Sequence, residues 1–361
     1  MQSFFSAPLP FTKKGIEKLA EANNKHNSSK IKTLYGCLPS NSKDKTGLEQ
    51  QRNSDSRLND FRALFELVSY SRSFGFDFMY LMNEPDTPSL FWLQNNEEDL
   101  ILKLTNLFKN GITKLRICNT FVIDFIHQRF PEFEIYLSTS QEYYSIKQFK
   151  NLFLRFPFIK GVVLSWDLNR NIKFINSFLA LFPNIELELM VNEGCISGCP
   201  FRKDHHSFSR VFSNGNNKFF NNSCSMISNM DKPSYICLSN IIYPWWIKHY
   251  NSLGVYHFKF VGRNDVDFYD NEKYLAYYEK YMDGIENVDN VLSEKFVIFN
   301  NYILHYEKYR ELKVCDIINL LPKFEYFIDH GHLCNNICGT ECNYCLKCAE
   351  SISKKLEEKL L

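Results

Sequence analysis

The stretch Gly161-Val162-Val163-Leu164-Ser165-Trp166-Asp167 is followed by apolar residues at helical spacing over 172–182. Glu186-Leu187-Glu188-Leu189-Met190-Val191-Asn192 comes next. A short, nearly continuous apolar run that turns polar only at its end predicts a strand covered on both faces, as in a parallel sheet. Strand, helix and strand in this order read as one βαβ unit.

The same alternation extends in both directions. Strand signals fall at residues 32–38, 76–82, 114–118, 134–138, 161–165, 186–192, 234–238 and 256–261. Helical spacing fills most of the gaps, with Phe61, Leu64, Phe65, Leu67 and Val68 on one face of 60–70 and Leu100, Ile101, Leu104 and Leu107 on one face of 97–108. Residues 144–153 follow the same pattern. Eight strands alternating with helices predict an α/β fold, a (β/α)8 TIM-type barrel. An open doubly wound sheet would want a glycine-rich phosphate loop after its first strand, and none is present.

The pattern changes after residue 263. Residues 271–283 and 303–312 read as helices, 325–328 as a short strand and 349–361 as a charged helix. The expected organisation is therefore a barrel over residues 1–265 and a mainly helical, cysteine-rich appendage over 266–361.

With 361 residues, 45% of them apolar, the chain has material for a large core. Its 42 Lys and Arg stand against 41 Asp and Glu, so the strong basic field of a generic nucleic-acid binder is missing. The 33 Phe and 20 Tyr are read as core residues rather than a base-stacking surface. Neither a basic start with a long apolar run nor a membrane-spanning segment is found, and a cytoplasmic protein with reduced thiols is expected.

In a barrel of this type, chemistry belongs at the C-terminal ends of the strands. Polar residues gather there: Ser40, Asn83, Glu84, Asn119, Ser138, Ser140, Ser165, Asp167, Asn192 and Glu193, with Trp166 among them. Cys195 lies directly beyond. Nine of the twelve cysteines form two windows: Cys195, Cys199, Cys224 and Cys237, then Cys334, Cys338, Cys342, Cys345 and Cys348. Clustered thiols in a reducing compartment point to thiolate ligands rather than disulfides.

In the first window, Gly194 and Gly198 let the backbone turn tightly around a ligand, and Cys199-Pro200 is a pair of the kind found beside iron-sulfur clusters. Four thiolates suit tetrahedral zinc or a 4Fe-4S cluster, and placement at the catalytic face favours the cluster. Asp204, His205 and His206 add candidate ligands or proton carriers.

The stretch from Asn192 to His206, with Cys224 and Cys237 after it, and the run Tyr250, Gly254, Val255, Phe258, Lys259, Gly262 and Arg263 resemble the collagenase-like peptidase family U-32. That resemblance implies an aldolase-type barrel, with Cys195, Cys199, Cys224 and Cys237 as cluster ligands and Lys259 and Arg263 as substrate or cluster-neighbour contacts. It also implies either peptidase activity or oxygen-independent hydroxylation of ubiquinone precursors or RNA bases. The acidic residue that the family carries between the lysine and Gly-Arg is absent here. Two cations with a glycine between them would suit an anionic cluster or substrate without the family as well.

The second window holds five cysteines between Cys334 and Cys348, and His332 is a further candidate ligand. Cys338, Cys342 and Cys345 reproduce the spacing of radical S-adenosylmethionine enzymes, but there the motif follows the first barrel strand. Zinc or a second iron-sulfur cluster is the expectation for this window, as a clasp on the appendage.

Taken together, the sequence predicts a 4Fe-4S barrel enzyme that modifies its substrate by redox chemistry. Glu193, His205, Lys259 and Arg263 are its candidate catalytic residues. An RNA base, a peptide or a small aromatic molecule are the candidate substrates, with an electron donor or partner protein alongside. A peptidase and a metal-stabilised RNA- or protein-binding module are the alternatives. The chain contains no H-E-x-x-H and no G-x-S-x-G, which weakens the hydrolase reading.

Overall fold

A computed structural model of the chain describes residues 2–38, 61–83, 90–193, 197–199, 202, 237, 239–261, 272–286, 289, 315, 318–329 and 342–360. Eight parallel strands close into a barrel in sequence order. They are β1 (Ser3–Pro8), β2 (Ser29–Gly36), β3 (Asp77–Met82), β4 (Lys114–Ile117), β5 (Glu134–Leu137), β6 (Gly161–Val163), β7 (Glu186–Met190) and β8 (His257–Lys259). Helices α1 (Lys13–Lys25), α2 (Phe61–Arg72), α3 (Leu90–Asn95), α4 (Glu97–Lys109), α5 (Thr120–Arg129), α6 (Ile146–Arg155), α7 (Ile172–Leu181) and α8 (Ile247–Leu253) alternate with the strands. This is the (β/α)8 architecture that the periodicity predicts.

Two strands differ from expectation. The barrel begins earlier, at Ser3-Phe4-Phe5-Ser6-Ala7-Pro8, which pairs with β2 on one side and β8 on the other. Serine, alanine and proline give this segment a weak strand signal, and its pairing comes from tertiary context. The run 234–238, expected as a strand, has no place in the ladder, because β7 pairs directly with β8, Glu188 opposite His257 and Met190 opposite Lys259. Cys237 is helical, and the rest of that run lies outside the described residues.

Local caps fix where several helices begin. Asn119 accepts hydrogen bonds from the amides of Phe121 and Val122 at 2.9 and 3.2 Å, so this rim residue serves as the N-cap of α5. Ser145 and Gln148 form a reciprocal capping box on α6. Asn171 caps α7 through the Phe174 amide at 3.0 Å. Each cap turns the chain back at the C-terminal end of a strand, and so shapes the rim.

The main core lies between the strands and the helices, where Phe5, Leu34, Ile117, Phe178 and Phe258 are fully buried. Each such side chain contributes about 2 kcal/mol of burial. The lumen is mixed. Tyr35, Met79, Leu81 and Tyr136 form a small apolar cluster of their own. Beside it, Arg116 pairs with Glu188 at 2.6 Å, and Glu188 also accepts a hydrogen bond from Ser6.

Beyond β8, α9 (Glu272–Glu286) packs across the barrel wall, where Tyr281 meets Phe5 and Phe260 and donates to the Ile242 carbonyl at 2.9 Å. Gly284 permits this approach, since a Cβ there would lie 2.5 Å from the Pro244 carbonyl oxygen. Residues 325–328 are helical rather than extended, within α10 (Phe324–Asp329). A short aromatic run does not separate helix from strand by periodicity alone. Phe324 and Phe327 each sit 5.7 Å from the Trp246 ring. The last helix, α11 (Tyr344–Leu360), is joined to α10 by the stacked pair Tyr326 and Tyr344. The expected helix at 303–312 lies outside the described residues. Among the described residues no helix is long and apolar enough to cross a membrane.

Candidate functional site

The segment that leaves β6 organises the rim. Ser165, Trp166, Asp167, Leu168, Asn169 and Arg170 are all buried, although they form a loop and a 3-10 turn. Burial of backbone and polar groups is tolerated only when they are paired. Asn169 donates to the carbonyls of Met190 and Asn240 at 2.7 and 3.1 Å, and Tyr250 donates to the Asn169 carbonyl at 2.7 Å.

Two residues of this segment reach the first cysteine window. The Asp167 carboxylate accepts from the Gly198 amide at 3.0 Å and so holds the turn that carries Cys199. Gly198 has φ +68°, a conformation that favours glycine. Arg170 donates to the carbonyl of Cys237 at 2.7 Å and to that of Ile241 at 3.2 Å. Cys199 is half-buried and Cys237 fully buried. Cys195 and Cys224 lie outside the described residues.

Arg170 also reaches the second window. Its guanidinium is 3.8 Å from the Cys345 sulfur, at the start of α11. The rings of Tyr243, Trp246 and Phe327 surround it with centroids at 5.8, 5.2 and 5.6 Å. Burial raises the Tyr243 hydroxyl well above its ordinary range, a rise that Arg170 opposes and that Cys237 and Cys345 reinforce. Cys348 is on the same helix as Cys345, with its thiol pushed up to about 11 by burial and then by the Cys345 charge. The Cys342 sulfur is 3.9 Å from the Tyr326 hydroxyl. Cys334 and Cys338 lie outside the described residues. Among the described residues no three His, Cys, Asp or Glu side chains converge as a metal site.

Of the candidate catalytic residues, Lys259 is buried at the end of β8, its ammonium 4.5 Å from the centre of the Tyr35 ring. Tyr35 donates to the Phe260 carbonyl, which fixes the ring against the lysine. Glu193 lies 3.9 Å from the buried Arg202 guanidinium, which also meets Glu142 at 3.3 Å. Arg202 in turn donates its amide to the Cys199 carbonyl at 3.2 Å. His205 and Arg263 lie outside the described residues, as do Asp204, His206, Ser40 and Glu84.

Several rim residues are structural. Asn192 locks the end of β7 to Val261, two residues beyond β8, donating to the Val261 carbonyl at 2.9 Å and accepting from its amide at 2.7 Å. Ser138 accepts from the Ser140 amide at 3.3 Å. Conversely, Arg170, Arg202 and Tyr243 organise the site without having been singled out in the sequence. Cys37 and Cys118 stand at the ends of β2 and β4, outside both windows; their places at the ends of predicted strands were the available signal.

Class follows from this geometry: a closed (β/α)8 barrel with cysteines at its C-terminal rim. No family model and no curated protein matches the chain. A solved structure of a U32 peptidase is similar at a TM-score of 0.47 and 9% identity, over 73% of this chain and 94% of that one. N-acetylneuraminate lyase from Fusobacterium nucleatum is similar at 0.39 and 11%, over 99% of both chains. Dihydrodipicolinate synthase from Bacteroides thetaiotaomicron is similar at 0.38 and 9%, over 98% of both. At these values no residue role passes to this chain.

Proposed function

We propose that the chain is an iron-sulfur barrel enzyme that holds a 4Fe-4S cluster at its rim through Cys195, Cys199, Cys224 and Cys237 and modifies its substrate by redox chemistry such as oxygen-independent hydroxylation. One observation carries this reading. Cys199 and Cys237, far apart in sequence, are anchored by Asp167 and Arg170 of the same buried segment. Thiolate donors at two anchored positions suit a cluster, and buried cations nearby suit its negative charge.

When bound, the cluster would supply electron transfer, because four cysteine ligands leave no open iron position. The protein's own groups would do the rest. Lys259, with its charge over the Tyr35 ring, would orient an anionic or aromatic substrate group at the lumen entrance. Glu193, held near Arg202, whose amide donates to the Cys199 carbonyl, is the candidate for moving a proton. The Tyr35 ring beside the Lys259 ammonium suits an RNA base or a small aromatic molecule as substrate.

The test is anaerobic purification, with iron, acid-labile sulfide and zinc assayed beside absorbance and paramagnetic resonance spectra. Iron and sulfide together support the reading, and zinc without sulfide overturns it. Lys259→Met is expected to keep the cluster signals and lose affinity for substrate.

A further inference from the structure

The lumen pair of Arg116 and Glu188 uses only part of the arginine. Arg116 is 2% exposed, and its Nη2 lies 2.6 Å from Glu188. Its Nε and Nη1 are buried and have no hydrogen-bond partner among the described residues. A guanidinium carries five N–H donors, and buried donors are nearly always given an acceptor. We infer that the barrel lumen binds a small aromatic carboxylic acid. Its carboxylate accepts from Arg116, its ring lies against Tyr35, Met79, Leu81 and Tyr136, and Lys259 supplies a second cation.

Placement carries this first. Arg116 is the next-to-last residue of β4, and its register partners are Leu81 on β3 and Tyr136 on β5. Register partners share one face of a sheet, so the guanidinium borders the apolar lumen cluster that these two residues form with Tyr35 and Met79. On the same cluster, the Lys259 ammonium stands 4.5 Å from the centre of the Tyr35 ring, at the last residue of β8. One apolar surface thus carries two cations, both near the strand ends that open on the rim.

Charge points the same way. Glu188 is shared, with one oxygen facing Arg116 and the other accepting from Ser6, the register partner of Lys259. It therefore fixes the guanidinium without covering its remaining donors. Glu186, two residues earlier, lies 3.4 Å from His257 at the N-terminal end of the barrel. Arg116 and Lys259 set against Glu188 favour one further negative charge, and a planar carboxylate matches a planar guanidinium. The Tyr35 and Tyr136 hydroxyls are engaged, by the Phe260 carbonyl and by Glu134 at 3.4 Å, so these residues serve the ligand as rings.

The inference rests on the reading of Lys259 as a substrate contact and deepens it, but it uses no cysteine. Benzoate, phenylacetate, the neutral benzamide and inorganic phosphate are titrated calorimetrically into the full chain as purified, with its iron content measured. Wild type is compared with Lys259→Met, the charge-free double variant Arg116→Met/Glu188→Leu, and the exposed Arg62→Met as control. Thermal melts check that each variant folds. The expected result is benzoate or phenylacetate binding that weakens about ten-fold or more in Lys259→Met, is lost in the double variant and is unchanged in Arg62→Met. Benzamide should bind about ten-fold or more weakly than benzoate. No binding of either acid at millimolar concentration, equal binding in the folded double variant, or benzamide or phosphate binding as well as benzoate would overturn the assignment. Iron-free protein that binds benzoate in this pattern would sink the cluster reading and leave the lumen site standing. Cluster-loaded protein that binds neither acid would do the reverse.

Discussion

The Asp167 carboxylate accepts a hydrogen bond from the Gly198 amide at 3.0 Å, one residue before Cys199. A strand end thereby dictates where a cysteine of another loop stands. Hydrogen bonds to a charged acceptor contribute about 1.5–3 kcal/mol. Asp167→Ala is expected to release the turn and lower bound iron several-fold, whereas Asp167→Asn, which keeps an acceptor oxygen, retains most of it. Iron per chain in folded protein is the measurement, and equal loading in Asp167→Ala would remove Asp167 from the account.

The lumen pair Arg116 and Glu188, 2.6 Å apart and buried, gives a second prediction. Removing one partner leaves an uncompensated buried charge, at a cost of about 3–5 kcal/mol. Glu188→Leu and Arg116→Met should each destabilise by that order, and the double variant should recover much of the loss. Urea unfolding of the three variants reads the coupling. Simple additivity would mean that the two charges do not depend on each other.

Glu186, on the strand that carries Glu188, has its carboxyl raised to about 7 by burial and then by the Glu188 charge. The folded state therefore holds this proton more tightly than the unfolded one. Its contribution favours folding at low pH and is lost as pH rises from the ordinary carboxylate range through about 7. Glu186→Gln removes the dependence. Relative to wild type it should gain on the order of 3 kcal/mol between about pH 4 and about pH 8. Parallel stability curves for the two proteins would refute this.

Phe324 is fully buried against barrel aromatics. Phe324→Ala should cost about 3–5 kcal/mol and loosen the C-terminal segment. Limited proteolysis is expected to cut the variant ahead of α11 while the barrel survives, and resistance equal to wild type would show that other contacts seat the segment.

Much of the barrel was legible because βαβ units write their periodicity locally, as residues 161–192 do. Strand β1 was not, since Ser3, Ser6 and Pro8 mask a segment whose pairing partners come from β2 and β8. The rim cysteines were visible as residue types, but their anchors were not. Arg170 finds its acceptors 67 and 71 residues away and Cys345 175 residues away, distances over which a sequence shows no pairing. Asn119 illustrates the opposite case, in which a polar rim residue belongs to a helix cap.

The central claim is that rim thiolates hold an iron-sulfur cluster, and the most direct measurement is iron and acid-labile sulfide per chain in protein purified without oxygen. Wild type should carry about four of each, as expected of a 4Fe-4S centre. Cys199→Ala and Cys237→Ala should lose both and still fold. Zinc in place of iron, or iron and sulfide unchanged in the two variants, would contradict the account.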